Sequence, residues 1–274
     1  MTLAENNGGE QWRLTMADDD RLARSAADGQ ELERRVREQT PARLMEGRAG
    51  SSYRTATELR LRADHAAARD AVRTELDLIA DLGQEFIERW RIFEVSTEAR
   101  TKEEFLLRPD LGRKLDAAAR DGIGEQCPRG CHLQIVIGDG LSVRAVAAQV
   151  PRLLPLLVAG AAERGWQTGR PFAIRHCRVG VMNEIGELLA PQAVVLLIGE
   201  RPGLATAESL SAYLAYRPRP GHSDADRNLV SNIHAAGVPS GEAAARILNL
   251  VDAMLRERSS GVRLKEQLEP RLLP

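Results

Sequence analysis

The segment Gln192-Ala-Val-Val-Leu-Leu-Ile-Gly-Glu-Arg-Pro-Gly203 constrains the chain more than any other. Seven residues without a charge, closed by glycine and then by a charged, proline-bearing loop, read as a strand buried on both faces. Strands of this kind belong to parallel sheets covered by helices. Ligands of open α/β sheets bind at the carboxyl ends of the strands, so the Gly-Glu-Arg-Pro-Gly rim is where function is expected.

Around that strand the hydrophobic period alternates between two and about 3.6. Leu133 to Ile137 and Phe172 to Arg175 read as strands. Ser142 can cap a helix running to about Arg164, which Pro151 and Pro155 are expected to kink or break into two. Asn183 to Leu189 is helical, Ala193 to Ile198 and Ser209 to Tyr216 are strands, and Ser240 to Arg258 is a closing helix. Strands alternating with helices imply a doubly wound parallel sheet.

Upstream the pattern is mainly helical. Leu59, Ala63, Ala66, Ala67 and Ala71 form a small-residue stripe suited to close helix approach. Further helices are expected near Leu82 to Trp90 and Leu111 to Ala119, with a short strand at Arg91 to Val95. Residues before about 40 are polar, and Leu22, Leu32 and Val36 make too thin a stripe for an independent helix. The expected organisation is a polar arm over 1–39, a helical region over 40–125 and an α/β domain over 126–274, with every strand of the main sheet after His132. The fold class is α/β: an N-terminal helical region, then a doubly wound, mostly parallel sheet of flavodoxin or Rossmann type.

A net charge of −1 with both signs interspersed argues against a nucleic-acid partner. No signal peptide is legible, and no apolar stretch reads as long enough to span a bilayer, so a cytoplasmic protein is expected. Cys127, Cys131 and Cys177 are too few and too irregular for a disulfide scaffold, and with His132 and His176 they lack a standard zinc spacing. Ser211, His234 and Asp226 could be assembled into a hydrolase triad, but no nucleophile elbow surrounds any serine, and His234 reads as satisfying local backbone groups in a Ser-Asn-Ile-His turn. Asp64, His65 and Asp70 do not share a helix face in the way a proton-transfer pair needs. Gly138-Asp-Gly140 lies at a strand-to-helix turn able to approach a nucleotide, yet it lacks the third glycine of the dinucleotide fingerprint.

Several blocks in order carry a resemblance: Thr40-Pro-Ala-Arg-Leu44, Gly47-Arg-Ala-Gly50, Arg62-Ala-Asp-His-Ala-Ala-Ala-Arg-Asp-Ala-Val72, Leu107-Arg-Pro-Asp-Leu-Gly112, Val179-Gly-Val-Met-Asn-Glu-Ile-Gly-Glu-Leu-Leu189, the Gly-Glu-Arg-Pro-Gly rim, and Ser231-Asn-Ile-His234. From about Thr40 to Val262 the chain resembles the small subunit of ethanolamine ammonia-lyase. The resemblance implies a hetero-oligomer with a large subunit that carries ethanolamine, and adenosylcobalamin as cofactor. It places cofactor contacts on Val179, Glu200 and Leu229, the last standing where the family usually has cysteine. No residue of this chain is implied to be catalytic and none to bind metal. The chain has no Asp-x-His-x-x-Gly string, so the resemblance also implies base-on cobalamin. Enclosure in a bacterial microcompartment is left open by the sequence. The competing expectation is a stand-alone flavodoxin-like module that binds a nucleotide or flavin at Gly138-Asp-Gly140.

Overall fold

The computed structural model describes residues 28–29, 31–38, 44, 47–203 and 206–266. Contacts divide the chain into two units at Arg54/Thr55. In the first unit, residues 31–38 are helical, with Arg34 paired to Glu31 and Glu38 one turn away on either side. The strands β1 (Arg48–Ala49) and β2 (Ser52–Tyr53) make a two-residue antiparallel ladder. The expected arm over 1–39 otherwise lies outside the described residues.

The second unit opens with α1 (Thr55–Arg73), of which only Thr57 and Ala71 are buried. Among the described residues its alanine stripe is therefore left largely uncovered, where close helix approach was expected. Two short helices follow, α2 (Leu78–Leu82) and α3 (Gln84–Trp90). They are separated at Gly83, with a φ of +85°, and α3 matches the helix expected near Leu82 to Trp90. Then come β3 (Phe93–Ser96), α4 (Lys102–Leu107) and α5 (Ala117–Gln126). Thr101 and Asp116 cap the last two by accepting from Glu104 N and Ala119 N. Between them, residues 111–113 form one 3-10 turn, where the sequence suggested a helix to Ala119.

The core elements are β4 (Leu133–Gly138), α6 (Val143–Glu163), β5 (Phe172–Arg175), α7 (Met182–Leu189), β6 (Ala193–Gly199), β7 (Leu210–Tyr216), β8 (Asn228–Ile233) and α8 (Ser240–Glu257). They build a six-stranded sheet in the order β3-β5-β4-β6-β7-β8. The first four strands are mutually parallel, while β6–β7 and β7–β8 are antiparallel, so the sheet is mixed and mostly parallel. Two expectations are corrected. The sheet starts at Phe93, because β3 pairs with β5 in register from Phe93↔Phe172, and strands do not all follow His132. The Ser-Asn-Ile-His segment, read as a turn, contributes its first three residues to β8.

Alternation explains how uncharged strands serve two layers. Leu133, Ile135 and Ile137 of β4 and Ala193, Val195 and Leu197 of β6 face the layer of α6 and α8. Val136, Val194, Leu196 and Ile198 face the layer of α5 and α7. Each aliphatic side chain withdrawn in this way contributes about 1.5–3 kcal/mol. Helix α6 runs unbroken through Pro151 and Pro155, contrary to a break into two helices. Val146, Val150, Leu153, Leu154 and Leu157 are all fully buried, and this packing outweighs the ~3 kcal/mol that an interior proline costs. The same helix is long and apolar enough to cross a membrane, which corrects the reading that no such stretch exists; half of its apolar window is packed inside the fold, as a core helix requires.

Candidate functional site

Strand β4 is followed by α6 on one face of the sheet and β5 by α7 on the other, so the loops after these neighbouring strands diverge and open a crevice at their carboxyl ends. Asp139 sits in that opening with no solvent exposure. Its Oδ1 accepts from Cys177 N at 2.8 Å, and its Oδ2 accepts from Lys102 Nζ at 3.1 Å. Lys102 Nζ also donates to Gly140 O at 3.1 Å. One carboxylate thus ties both loops to the start of α4.

Beneath this pair lies Phe105, fully buried, with the Lys102 ammonium 4.9 Å and the Arg178 guanidinium 4.2 Å from its ring centroid. His176 stacks against the same ring and adopts a φ of +57°. Its strained backbone is held from several sides: Nδ1 lies 2.8 Å from Ala99 O, Nε2 lies 3.0 Å from Glu75 Oε2, and its carbonyl accepts from Thr97 Oγ1 at 3.0 Å. Gly140, at φ +56°, could not carry a side chain, because a Cβ would meet Gly199 O at 2.3 Å. The Gly-Asp-Gly turn is therefore packed against the end of β6, and its carboxylate is committed to an internal ion pair. That arrangement does not favour the nucleotide-cradle reading.

Above the crevice the surface encloses a hollow of about 380 Å³ lined by Val179, Glu200, Tyr213 and Leu229 among others. The three residues expected from resemblance, taken from three separate segments, meet here. Val179 begins the turn before α7. Leu229 lies opposite Tyr213 in the β7–β8 ladder and is 43% exposed, unusual for a leucine in a sheet. On this side of the sheet Ala215 of β7 is buried with the α5 and α7 layer, while Tyr213 packs at its edge and is only half-buried. Burial, then the charges of Asp224 and Glu200, push the Tyr213 phenol pKa up.

Glu200 leaves the end of β6 and is fixed by its neighbours. It accepts from Ser209 Oγ at 2.7 Å, from Ser211 Oγ, and from Asn232 N at 3.4 Å. It is not the partner of Arg201. This geometry uses the antiparallel end of the sheet: the start of β7 and the end of β8 both lie beside the end of β6. A second hollow of about 660 Å³ shares Arg178, Val179 and Tyr213 with the first.

The other candidates disperse. Ser211 serves Glu200, His234 Nε2 lies 2.8 Å from Asn232 Oδ1, and Asp226 accepts from Ser223, so no triad forms. Among the described residues no three His, Cys, Asp or Glu side chains gather as a metal site. The three cysteines are unpaired and buried. Burial pushes the Cys127 thiol up to about 11, and burial with the nearby Asp139 charge holds Cys177 well above the usual thiol range. Sequence reasoning missed Lys102, Arg178 and Tyr213. Lys102 and Arg178 carried no motif, and Tyr213 reads as an ordinary strand residue; the charged Gly-Asp-Gly turn was the one available signal that a counter-ion had to arrive from elsewhere.

Comparison with known proteins supplies the context for this hollow. The family described as ethanolamine ammonia-lyase light chain matches residues 30–265. The ethanolamine ammonia-lyase small subunits of Clostridium perfringens and Clostridioides difficile are each 43% identical over 230 residues, covering 84% of this chain and 76% of theirs. That of Fusobacterium nucleatum is 41% identical over 231 residues, with the same coverage. The relatives indicate an ammonia-lyase system, and their designation as small subunits implies a larger partner. Matched over most of its length on both counts, the chain belongs to the ethanolamine ammonia-lyase light-chain family.

Proposed function

We propose that this chain is the small subunit of an adenosylcobalamin-dependent ethanolamine ammonia-lyase, which converts ethanolamine to acetaldehyde and ammonia together with a large subunit. The observation that carries the reading is the convergence of Val179, Glu200 and Leu229 on one hollow at the carboxyl ends of the strands. The hollow fits one edge of a corrinoid in chemistry: Val179, Tyr213 and Leu229 offer apolar surface, and Glu200 offers a fixed acceptor for amide N–H groups. It does not fit the whole of one. Pockets that bury a drug-sized molecule run to about 300–1,000 Å³, and a cobalamin is several times larger, so the rest must be covered from outside this chain.

The cofactor supplies homolysis of its cobalt–carbon bond. This chain supplies position. The Lys102–Asp139 pair fixes the two loops, Glu200 arrives pre-oriented by Ser209 and Ser211, and half-buried Tyr213 and exposed Leu229 keep surface for a ligand or partner. The chain has no Asp-x-His-x-x-Gly string of the kind that displaces the benzimidazole, which supports base-on binding. Neither the hollow nor the crevice below it offers an unengaged acid–base pair, so catalytic residues belong to the large subunit, which also carries ethanolamine. We place the assembly in the cytoplasm, with enclosure in a microcompartment as a further step.

The test is reconstitution. Purified small chain, large subunit and adenosylcobalamin should release ammonia from ethanolamine only when all three are mixed. Turnover by the small chain and cofactor alone, or none from the complete mixture, would overturn the proposal.

A further inference from the structure

Three arginines converge on the rim shared by the two hollows, and none is neutralised. Arg178 and Arg201 line the first, and Arg178 and Arg113 line the second. Among the described residues no carboxylate lies within ion-pair distance of any of the three: Asp139 is engaged by Lys102, Glu184 by Arg120 and Asp224 by Arg227, Glu200 in the first hollow accepts from Ser209 and Ser211, and Glu187 in the second pairs with none of them. Arg178 is half-buried, and its Nε is buried without a hydrogen-bond partner. Its guanidinium donates from Nη2 to Phe105 O at 3.4 Å and sits 4.2 Å from the Phe105 ring centroid. Gly180 lets the Arg113 stem cross close to this point, since a Cβ there would lie 2.9–3.1 Å from Arg113 Cβ, Cγ and Cδ.

A half-buried guanidinium without an anion carries a cost, because its buried Nε–H has lost water and gained no acceptor. Burial, and then repulsion from Arg201 and Arg113, lower the Arg178 pKa. A fold that holds such a group on an aromatic shelf, with an unused donor, is arranged for an anion with several acceptor oxygens. Guanidinium matches phosphate geometry in particular.

We infer that Arg178, flanked by Arg201 and Arg113, is an anion subsite for a phosphate group, which in the cofactor is the phosphodiester of the nucleotide tail. This deepens the cobalamin reading and rests on it for the identity of the ligand. It assigns the two joined hollows different parts of one molecule: the Glu200 side takes ring amides, and the Arg178 side takes the tail.

The experiment uses the complex with the large subunit and three ligands: adenosylcobalamin, adenosylcobinamide phosphate, and adenosylcobinamide, which lacks the phosphate. Dissociation constants are measured by absorbance titration for the wild type, Arg178→Gln, Arg178→Lys and the exposed-site variant Arg201→Gln. Arg178→Gln should weaken the two phosphate-bearing ligands by about tenfold or more, and leave adenosylcobinamide within twofold. Arg178→Lys should recover part of the loss, and Arg201→Gln should show a smaller loss of the same selectivity. Equal loss for all three ligands, or no loss for any, would overturn the subsite. Should the wild-type complex bind no corrinoid, the cofactor reading fails, and titration with pyrophosphate then decides the subsite separately. Binding that Arg178→Gln abolishes would support an anion site with another source of phosphate, and no binding would remove it.

Discussion

Replacing Lys102 by methionine tests the claim that one buried ion pair holds the site's two loops in place. Methionine keeps most of the stem against Phe105 and removes only the charge. Asp139, with no solvent exposure, would then lose the ammonium at 3.1 Å and keep only the Cys177 N–H. Removing one member of a buried pair costs about 3–5 kcal/mol, because the remaining charge is left uncompensated. For a folded unit of this size each kcal/mol moves the unfolding midpoint by about 2–4 °C, so the expected loss is about 6–20 °C. Urea unfolding followed by circular dichroism gives the free energy, and calorimetry the midpoint. The double variant Lys102→Met/Asp139→Asn should be more stable than Lys102→Met alone, since asparagine still accepts from Cys177 N and carries no charge. A cost below about 1 kcal/mol for the single variant, or strictly additive costs in the pair, would refute the reasoning.

Other perturbations follow from the same geometry. Gly140→Ala should cost about 2–4 kcal/mol, combining left-handed strain with overpacking against Gly199 O, and wild-type stability in denaturant would show that the turn can open. Glu200→Gln should weaken cobalamin binding by the assembled enzyme by about 1–2 kcal/mol while changing urea stability less, because the amide keeps an acceptor for Ser209 or Ser211; an unchanged affinity would make Glu200 a purely structural link. Cys127, with a folded pKa raised from 9.0 to about 11, contributes stability that is complete below pH 9 and is lost as pH rises through about 11. Measured against pH, Cys127→Ala should fall less steeply across that window, and a parallel decline would count against buried-thiol control.

The strands buried on both faces were legible in the sequence because uncharged runs such as Ala193–Gly199 leave little alternative. The Ser142 cap was legible for the same kind of local reason. What failed to show was set at long range. Strand β3 reads as a short strand on its own, but its place in the main sheet shows only when β5 pairs with it, and Pro151 and Pro155 look like helix breakers until the packing of α6 is seen. At the site, Val179, Glu200 and Leu229 entered through resemblance, and no periodicity in the chain could have brought them together. Lys102 was invisible because its meaning depends wholly on Asp139, and Arg178 because its meaning depends on what lies above Phe105.

The pairing of β3 with β5 also sets an order of events during synthesis. Thr97, just past the end of β3, closes on His176, 79 residues further along the chain. At ~5–20 residues per second, β3 leaves the ribosome about 4–16 s before its partner strand exists. Parallel pairing across that separation carries a large loop-closure cost, and β3 has a neighbour on one side only. The helical segments that precede it must therefore wait, unsupported by the sheet, until β4 and β5 have formed. The loops that carry Lys102 and His176 can close only after that, which makes the rim at the carboxyl ends of the strands one of the later parts of this chain to become native.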